Sequence, residues 1–235
     1  MTQEEAIKAI EKEIGRELPL VEKFEWNTVG YVQNNDQEII RIRLYDCGIK
    51  NLNKLIVYFQ ALPCLKGLYL VDNQLTDISP LSKLQSLQEL DIGYNKLTDV
   101  SPLTKLQSLQ ELDLSGIELI NVSFIGKLQN LQKLRLSENQ LTDISPLTKL
   151  QNLQELNLSY NKLIDISFLA KLQNVQKLDL GYNELTDISP LSKLQNLQQL
   201  NLGKNQLTDI SPLVKLQNLQ ELDLCLLYTS DAADD

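Results

Sequence analysis

The chain has 235 residues, of which 43% are hydrophobic and 23% are charged, so it is long enough for one folded domain or two small ones. Its formal net charge of −9 argues against binding to nucleic acid, and the absence of histidine excludes a histidine base, metal ligand or pH switch. A run of about 18 uncharged apolar residues, the least that spans a bilayer, does not occur, so we expect no membrane span.

The cysteines and the first residues bear on the cellular compartment. The three cysteines follow no spacing typical of a disulfide framework, which predicts reduced thiols. Residues 1–5 are polar and acidic and lack the apolar region of a secretory signal peptide. We therefore expect a cytoplasmic location.

Residues 1–38 are predicted to form an N-terminal cap. Thr2 and Glu5 have the spacing of a capping box, and the apolar residues that follow recur on one face of a helix. These residues are Ala6, Ile7, Ile10 and Ile14. Gly15 is suited to end the helix, because glycine tolerates the left-handed conformation of a C-cap.

An internal repeat occupies residues 39–224. Leucine or valine recurs every 22 residues, at Leu65, Leu87, Leu109, Leu131, Leu153, Val175, Leu197 and Leu219. The unit that begins at Leu131 reads L-x-x-L-x-L-x-x-N-x-L and then D-I-S-P-L-x-K-L. We divide the segment into one 26-residue coil from Ile39, seven 22-residue coils and one truncated coil.

This repeat resembles the leucine-rich-repeat signature, and its 22-residue form is similar to bacterial internalins and to the small-repeat regulatory subunit of protein phosphatase 1. The resemblance implies an α/β solenoid: a leucine-rich-repeat arc with a parallel β-sheet on the concave face, short 3₁₀ or α turns on the convex face and a helical N-terminal cap. In the Ser-Pro pairs before each turn we expect serine to be the N-cap and proline the first helical residue. The aspartate column before these turns is also explained by capping.

An asparagine at the ninth position of most coils predicts a buried polar ladder. It occurs at Asn73, Asn95, Asn139, Asn161, Asn183 and Asn205. A side-chain amide both donates and accepts, so these residues are suited to satisfy backbone groups where the chain leaves the sheet. Cys47 takes this place in the first coil, and Ile117 takes it in a later one. Because isoleucine has no polar group, we expect a local defect at Ile117.

Residues 225–235 depart from the period. They resemble an in-frame translation of a transposase sequencing adapter. We therefore expect this tail to be non-native and the natural protein to continue beyond Leu224. The open end is expected to fray or self-associate, and a capped protein to be monomeric.

Partner binding is expected on the concave face, at residues between the core leucines. Like charges occupy adjacent coils at Glu89 and Glu111 and again at Asp91 and Asp113. This arrangement costs stability, which suggests that these residues are kept for a function. The aromatic residues Tyr69 and Tyr94 flank them, and four more residues extend the patch: Arg135, Tyr160, Asp179 and Tyr182. The patch predicts a basic protein or peptide as partner.

A simpler explanation remains open, because charges of alternating sign neutralise each other along the ladder. Glu111, Lys133, Glu155 and Lys177 alternate in this way. On that interpretation the charges are a solvated surface. Four carboxylates on a flat sheet are too few oxygens for calcium, and no phosphate-binding loop, dinucleotide-binding loop or nucleophile motif is present, so we predict no metal, no cofactor and no enzyme activity.

The leading functional hypothesis is a protein–protein interaction module that binds its partner on the concave face. Its similarity to the phosphatase regulator makes control of a signalling enzyme one form of this hypothesis. A second hypothesis is the sensing or recognition half of a larger signalling protein whose C-terminal effector domain is missing from this chain. A third is an internalin-like surface adhesin, which requires a signal peptide.

Overall fold

The computed structural model describes residues 1–25 and 27–225. Its Cα positions divide the chain into two compact units, Met1–Ile117 and Glu118–Asp235, and each is described by itself. The predicted non-native tail, except for Cys225, lies outside the described residues. In the described parts of the chain, neither helix has the length and apolar character needed to cross a membrane.

Unit 1 begins with the helix that the sequence predicts. Helix α1 covers Gln3–Ile14 and has a complete capping box, in which the Glu5 N–H donates to Thr2 Oγ1 at 3.1 Å and the Thr2 N–H donates to Glu5 Oε2 at 2.8 Å. Gly15 closes the helix in the left-handed conformation, with φ of 66°. Ala6, Ile7 and Ile10 are buried, so this helix covers one end of the unit's hydrophobic core.

The sheet of unit 1 has five strands in chain order. They are β1 Gly30–Gln33, β2 Ile39–Arg43, β3 Gly67–Tyr69, β4 Glu89–Asp91 and β5 Glu111–Asp113. Strand β1 is antiparallel to β2, and the others pair in parallel. The chain returns between strands through helix α2 and two 3₁₀ segments, at Leu55–Gln60, Ser79–Lys83 and Ser101–Lys105.

Unit 2 repeats one pattern five times. Its strands are β6 Lys133–Arg135, β7 Glu155–Asn157, β8 Lys177–Asp179, β9 Gln199–Asn201 and β10 Glu221–Asp223, all parallel. Its 3₁₀ segments are Ser123–Lys127, Ser145–Lys149, Ser167–Lys171, Ser189–Lys193 and Ser211–Lys215. The leucines of the coils that carry β6 to β9 are buried between the strand and the 3₁₀ segment, as Leu134 and Leu147 illustrate, whereas Leu222 of β10 is 44% exposed. The predicted α/β solenoid is therefore confirmed in both units.

The caps of the 3₁₀ segments differ from the prediction. Serine is the first residue of each segment and not its N-cap; the N-cap is the preceding apolar residue, which makes no side-chain cap bond. The aspartate two residues before serine supplies the acceptor instead: Asp143 Oδ1 accepts the Ser145 N–H at 2.8 Å. The segment Ser123–Lys127 has Asn121 in this role, and in both cases the side-chain oxygen accepts the N–H two residues further on in a local turn.

Acid is expected to weaken these caps. The serine N–H and then the serine hydroxyl lower the pKa of Asp99, Asp143 and Asp209 below the ordinary value of 3.8. Because the folded pKa is lower than the unfolded one, the stabilisation is complete above the unfolded value and is lost as pH falls through the folded value. We expect the urea midpoint to fall more steeply between about pH 5 and pH 2 in the wild type than in the triple Asp→Asn variant at these positions. Asparagine keeps the acceptor oxygen but does not titrate, so equal slopes would contradict the assignment.

The asparagine ladder lies where the sequence predicts it. Asn161 is buried; its Oδ1 accepts the Leu141 N–H at 3.0 Å, and its Nδ2 donates to the carbonyls of Leu136 and Leu158 at 2.9 and 3.0 Å. The equivalent asparagines Asn73, Asn95, Asn183 and Asn205 are also buried and hydrogen-bonded to backbone groups. Each of these side chains therefore fixes the bend that follows a strand.

The expected departure at Ile117 is visible in the backbone. In coils with asparagine, the one residue before it has a positive φ, as Tyr160 does at 54°. At Ile117 the residues on both sides have a positive φ: Gly116 at 63° and Glu118 at 58°. The first coil, which has Cys47 at this position, likewise has a residue with positive φ on each side of it. The boundary between the two units also falls directly after Ile117.

Candidate functional site

The predicted binding residues of unit 1 lie on the solvent side of its strands, which we call the strand face. The register places Arg41, Gly67, Glu89 and Glu111 side by side in one column and Arg43, Tyr69, Asp91 and Asp113 in the next. Tyr94 lies just beyond the end of β4, with 42% of its surface exposed. The structure therefore brings the six residues predicted in unit 1 onto one surface.

Glu89 is paired with an arginine that the sequence analysis did not consider as its partner. Arg41 Nε and Nη2 donate to the two carboxylate oxygens of Glu89 at 2.8 and 2.6 Å. The Glu89 side chain is only 15% exposed, and the hydrogen bond raises the pKa of Arg41. This bidentate pair neutralises one of the carboxylates in the apparent run of like charges.

Gly67 makes this pairing possible. Arg41 and Glu89 lie on β2 and β4, so the side chain of Arg41 must cross β3, where Gly67 stands between them. A Cβ at Gly67 would lie 2.8 Å from Arg41 Cγ and 3.1 Å from Glu89 Oε2. A glycine between an arginine and a glutamate in one column is thus the sequence signal that could have revealed the pair.

Valine at position 67 is expected to destabilise unit 1, although valine favours strands. Its Cβ would displace the Arg41 side chain, and we expect Gly67→Val to lower the free energy of unfolding by about 1–3 kcal/mol. Urea denaturation measures the change. An Arg41→Ala background removes the closest obstructing atom, Arg41 Cγ, and frees the Glu89 side chain to move, so the same substitution is expected to cost at least about 1 kcal/mol less there. An equal cost in both backgrounds would show that Gly67 has another role.

Tyr69 is packed and not an exposed anchor. Its hydroxyl donates to Glu89 Oε2, and its ring meets Phe24 edge to face with centroids 5.3 Å apart. Burial first, and then the hydrogen bond to Glu89, raise the pKa of Tyr69. The guanidinium of Arg43 lies 5.9 Å from the centroid of the Tyr69 ring. Together with Glu22 and Lys23 these residues line a groove of about 360 Å³ beside the ion pair.

The aspartates of the second column also have a structural task. Asp113 Oδ1 accepts from the Ser115 N–H at 2.9 Å and from the Ser115 hydroxyl at 2.6 Å, and Asp91 Oδ1 accepts from the Gly93 N–H at 3.1 Å. The same hydrogen bond, from the backbone N–H two residues further along the chain, is accepted in unit 2 by Asn157, Asp179, Asn201 and Asp223. Aspartate and asparagine therefore recur here partly because they hold the bend after each strand.

The predicted residues of unit 2 lie on its own strand face. Arg135 is exposed at the end of β6, and Asp179 is half-buried at the end of β8, with Asn157 of β7 between them. Tyr160 and Tyr182 follow β7 and β8, and their rings stack with centroids 3.9 Å apart and planes 12° apart. The strand face of unit 2 also forms an open groove of about 400 Å³, lined by Arg135, Asp179 and their neighbours.

One pair of opposite charges on this face forms as the alternating-charge interpretation expects. Lys177 Nζ lies 3.4 Å from Glu155 Oε1. Both side chains are partly exposed, so the pair contributes little to stability. No group of three or more acidic or cysteine side chains arranged to hold a metal ion occurs among the residues that the structure describes.

Comparison with known proteins gives consistent similarity to one family. The family profile described as "Leucine Rich repeats (2 copies)" matches well over half of the chain, at residues 63–105, 85–127, 129–171, 151–193, 173–215 and 195–231. No curated protein sequence matches the chain.

Several solved structures are similar to this chain. An internalin C2 from Listeria monocytogenes has a TM-score of 0.75 and 34% identity over 93% of this chain and 92% of its own. A leucine-rich-repeat protein of Leptospira interrogans has a TM-score of 0.71 and 33% identity over 80% of this chain and 50% of its own. The leucine-rich-repeat ectodomain of the Arabidopsis thaliana membrane receptor kinase GASSHO1/SCHENGEN3, in complex with CASPARIAN STRIP INTEGRITY FACTOR 2, has a TM-score of 0.65 and 27% identity over 84% of this chain and 25% of its own.

Proposed function

Because this chain belongs to the leucine-rich-repeat family and is of the internalin type, we propose that it is a protein-interaction module that binds a basic protein or peptide on its strand face. The family is a protein-interaction fold, and a structurally similar ectodomain is in complex with CASPARIAN STRIP INTEGRITY FACTOR 2. The predicted absence of catalysis, the cytoplasmic location and the monomeric state of a capped protein belong to the same proposal.

The observation that carries the basic partner is the strand face of unit 1. Asp91 and Asp113 lie side by side on adjacent parallel strands, Glu111 lies in the neighbouring column, and half-exposed Tyr94 stands beside them. The Arg41–Glu89 pair accounts for one carboxylate of this group. Asp91 and Asp113 are like charges held side by side in fixed register, and such an arrangement favours a cationic partner, because a cation lowers the repulsion between them.

Selection of peptides from a random library on the full chain tests this function. We expect selected peptides to be enriched in lysine and arginine and to bind with micromolar affinity by fluorescence anisotropy. Asp91→Asn combined with Tyr94→Ala is expected to weaken binding about tenfold, or 1.4 kcal/mol, with little change in the urea midpoint. Asparagine keeps the acceptor for the Gly93 N–H and removes only the charge. Selection of acidic peptides, or binding unaffected by these changes, would refute the proposal.

An internalin-like surface protein is a second candidate, favoured by the match to internalin C2 over 92% of that chain. Antibody labelling of intact cells of the source organism separates the two candidates. Labelling without permeabilisation would support the surface protein, and labelling only after permeabilisation would support the cytoplasmic module.

A further inference from the structure

Two stacked tyrosines form an aromatic surface on unit 2 that the backbone does not require. Tyr160 and Tyr182 have 48% and 43% of their surface exposed. Both have a φ of 54°, in the left-handed region that favours glycine, asparagine and aspartate. Every coil with asparagine has a positive φ at this position, whatever the side chain, so neither burial nor backbone preference explains why tyrosine stands at these two positions.

Two carboxylates act on Tyr160 of the pair. The pKa of Tyr160 is raised by its hydrogen bond with Tyr182 and by burial, and further by the negative charges of Glu138 and Asp179. Asp179 is half-buried, and burial raises its own pKa. Its Oδ1 accepts the Gly181 N–H at 3.0 Å, yet no lysine or arginine among residues 1–25 and 27–225 forms an ion pair with it. A half-buried carboxylate without a counter-ion is an attractive place for an incoming cation.

The basic side chains of the same face do not reach Asp179. Arg135 is two strands away, and the side chain of Asn157 stands between them in the register. In unit 1 an arginine crosses the same number of strands to its glutamate, but there the intervening residue is Gly67. Lys177, on the strand of Asp179, is within ion-pair distance of Glu155.

We propose that Tyr160, Tyr182 and Asp179 form an anchor site for an arginine side chain of the partner. The planar guanidinium stacks on the exposed tyrosine surface while its N–H groups donate to the Asp179 carboxylate. Lysine offers a charge of the same sign but no plane to stack and no fork of donors, so the site selects arginine over lysine. This inference rests on the proposed function, since it names the chemical group that the strand face recognises.

A short peptide with one charged residue tests the site. We would titrate the full chain with acetyl-Gly-Ser-Arg-Ser-Gly-amide and follow the arginine side-chain protons by NMR. Stacking on the rings is expected to move these protons upfield, and the lysine peptide is expected to bind at least fivefold more weakly. The peptide with citrulline, which keeps the planar shape without the charge, is expected to bind at least tenfold more weakly.

Variants assign the effect to these residues. Tyr182→Leu removes the stack, and Asp179→Asn removes the charge while keeping an acceptor for the Gly181 N–H; each is expected to weaken arginine binding at least fivefold. Tyr58→Leu in unit 1 is the control, because Tyr58 is a partly exposed tyrosine on helix α2, outside the strand face. It is expected to leave arginine binding unchanged.

The outcomes distinguish this inference from the proposed function. Equal binding of the arginine and lysine peptides, or arginine binding that survives both Tyr182→Leu and Asp179→Asn, overturns the anchor site. If library peptides bind the strand face but tolerate replacement of every arginine by lysine, the anchor site fails while the proposed function stands. If the single-arginine peptide binds as expected and no library peptide does, the site stands and the proposed function fails.

Discussion

Replacement of Asn161 by alanine is expected to lower the free energy of unfolding by about 3–5 kcal/mol. The side chain is 8% exposed and bonds to four backbone groups, the Leu141 N–H and the carbonyls of Leu136, Leu158 and Ser159. Alanine leaves the buried Leu141 N–H without an acceptor and removes one of two donors from each carbonyl, because Asn139 Nδ2, Asn183 Nδ2 and the Glu138 N–H still donate to Leu136, Leu158 and Ser159. An unsatisfied buried N–H costs about 1–3 kcal/mol and each lost hydrogen bond to a carbonyl about 0.5–1.5 kcal/mol, so together they explain the size of the effect.

Urea denaturation at neutral pH measures this loss, with Lys162→Ala as the exposed neighbour that should change stability by less than about 0.5 kcal/mol. Asn161→Asp separates hydrogen bonding from side-chain volume. Its carboxylate has nearly the same shape but cannot donate to the three carbonyls, so it is expected to be at least as destabilising as alanine. A loss below about 1 kcal/mol in both variants would show that the ladder contributes little to stability.

Charge reversal on the strand face of unit 1 is expected to abolish most of the binding to basic peptides. In the proposed function Asp91 and Glu111 attract the partner, so lysine at both positions replaces attraction by repulsion. We expect the affinity of the selected peptides to fall at least 100-fold, about 2.8 kcal/mol at 1.4 kcal/mol for each tenfold change. The loss is expected to shrink as salt is raised, because salt screens exposed charges.

The control reverses charge on the 3₁₀ segments of unit 2, which are not part of a strand face. Lys149 and Lys171 end two 3₁₀ segments of unit 2, away from the strands, so Lys149→Glu with Lys171→Glu is expected to leave affinity within twofold of the wild type. Stronger loss from these substitutions than from Asp91→Lys with Glu111→Lys would place the binding surface on the 3₁₀ face. Circular dichroism checks that each variant keeps its fold.

The binding residues show how far pattern and structure agree. Column membership was predictable, because the strand period places alternate residues on one face and the 22-residue period stacks equivalent residues. The expectation that Glu89 repels its neighbours was wrong, because Arg41 pairs with it. Aspartate and asparagine recur in the column of Asp113 partly because their side-chain oxygen accepts a hydrogen bond from the backbone N–H two residues further along the chain. The role of the ten predicted residues in partner binding remains a prediction.

The sequence by itself determined the solenoid, the asparagine ladder and the capping box of α1, because each depends on local spacing that repeats along the chain. Tertiary structure alone decided the Arg41–Glu89 pair, the stack of Tyr160 on Tyr182 and the lack of an ion-pair partner for Asp179 among the described residues. These features depend on which side chains of different coils reach each other. Such reach is set by the residue between them, a glycine in one case and an asparagine in the other, and by side-chain rotamers that no periodicity encodes.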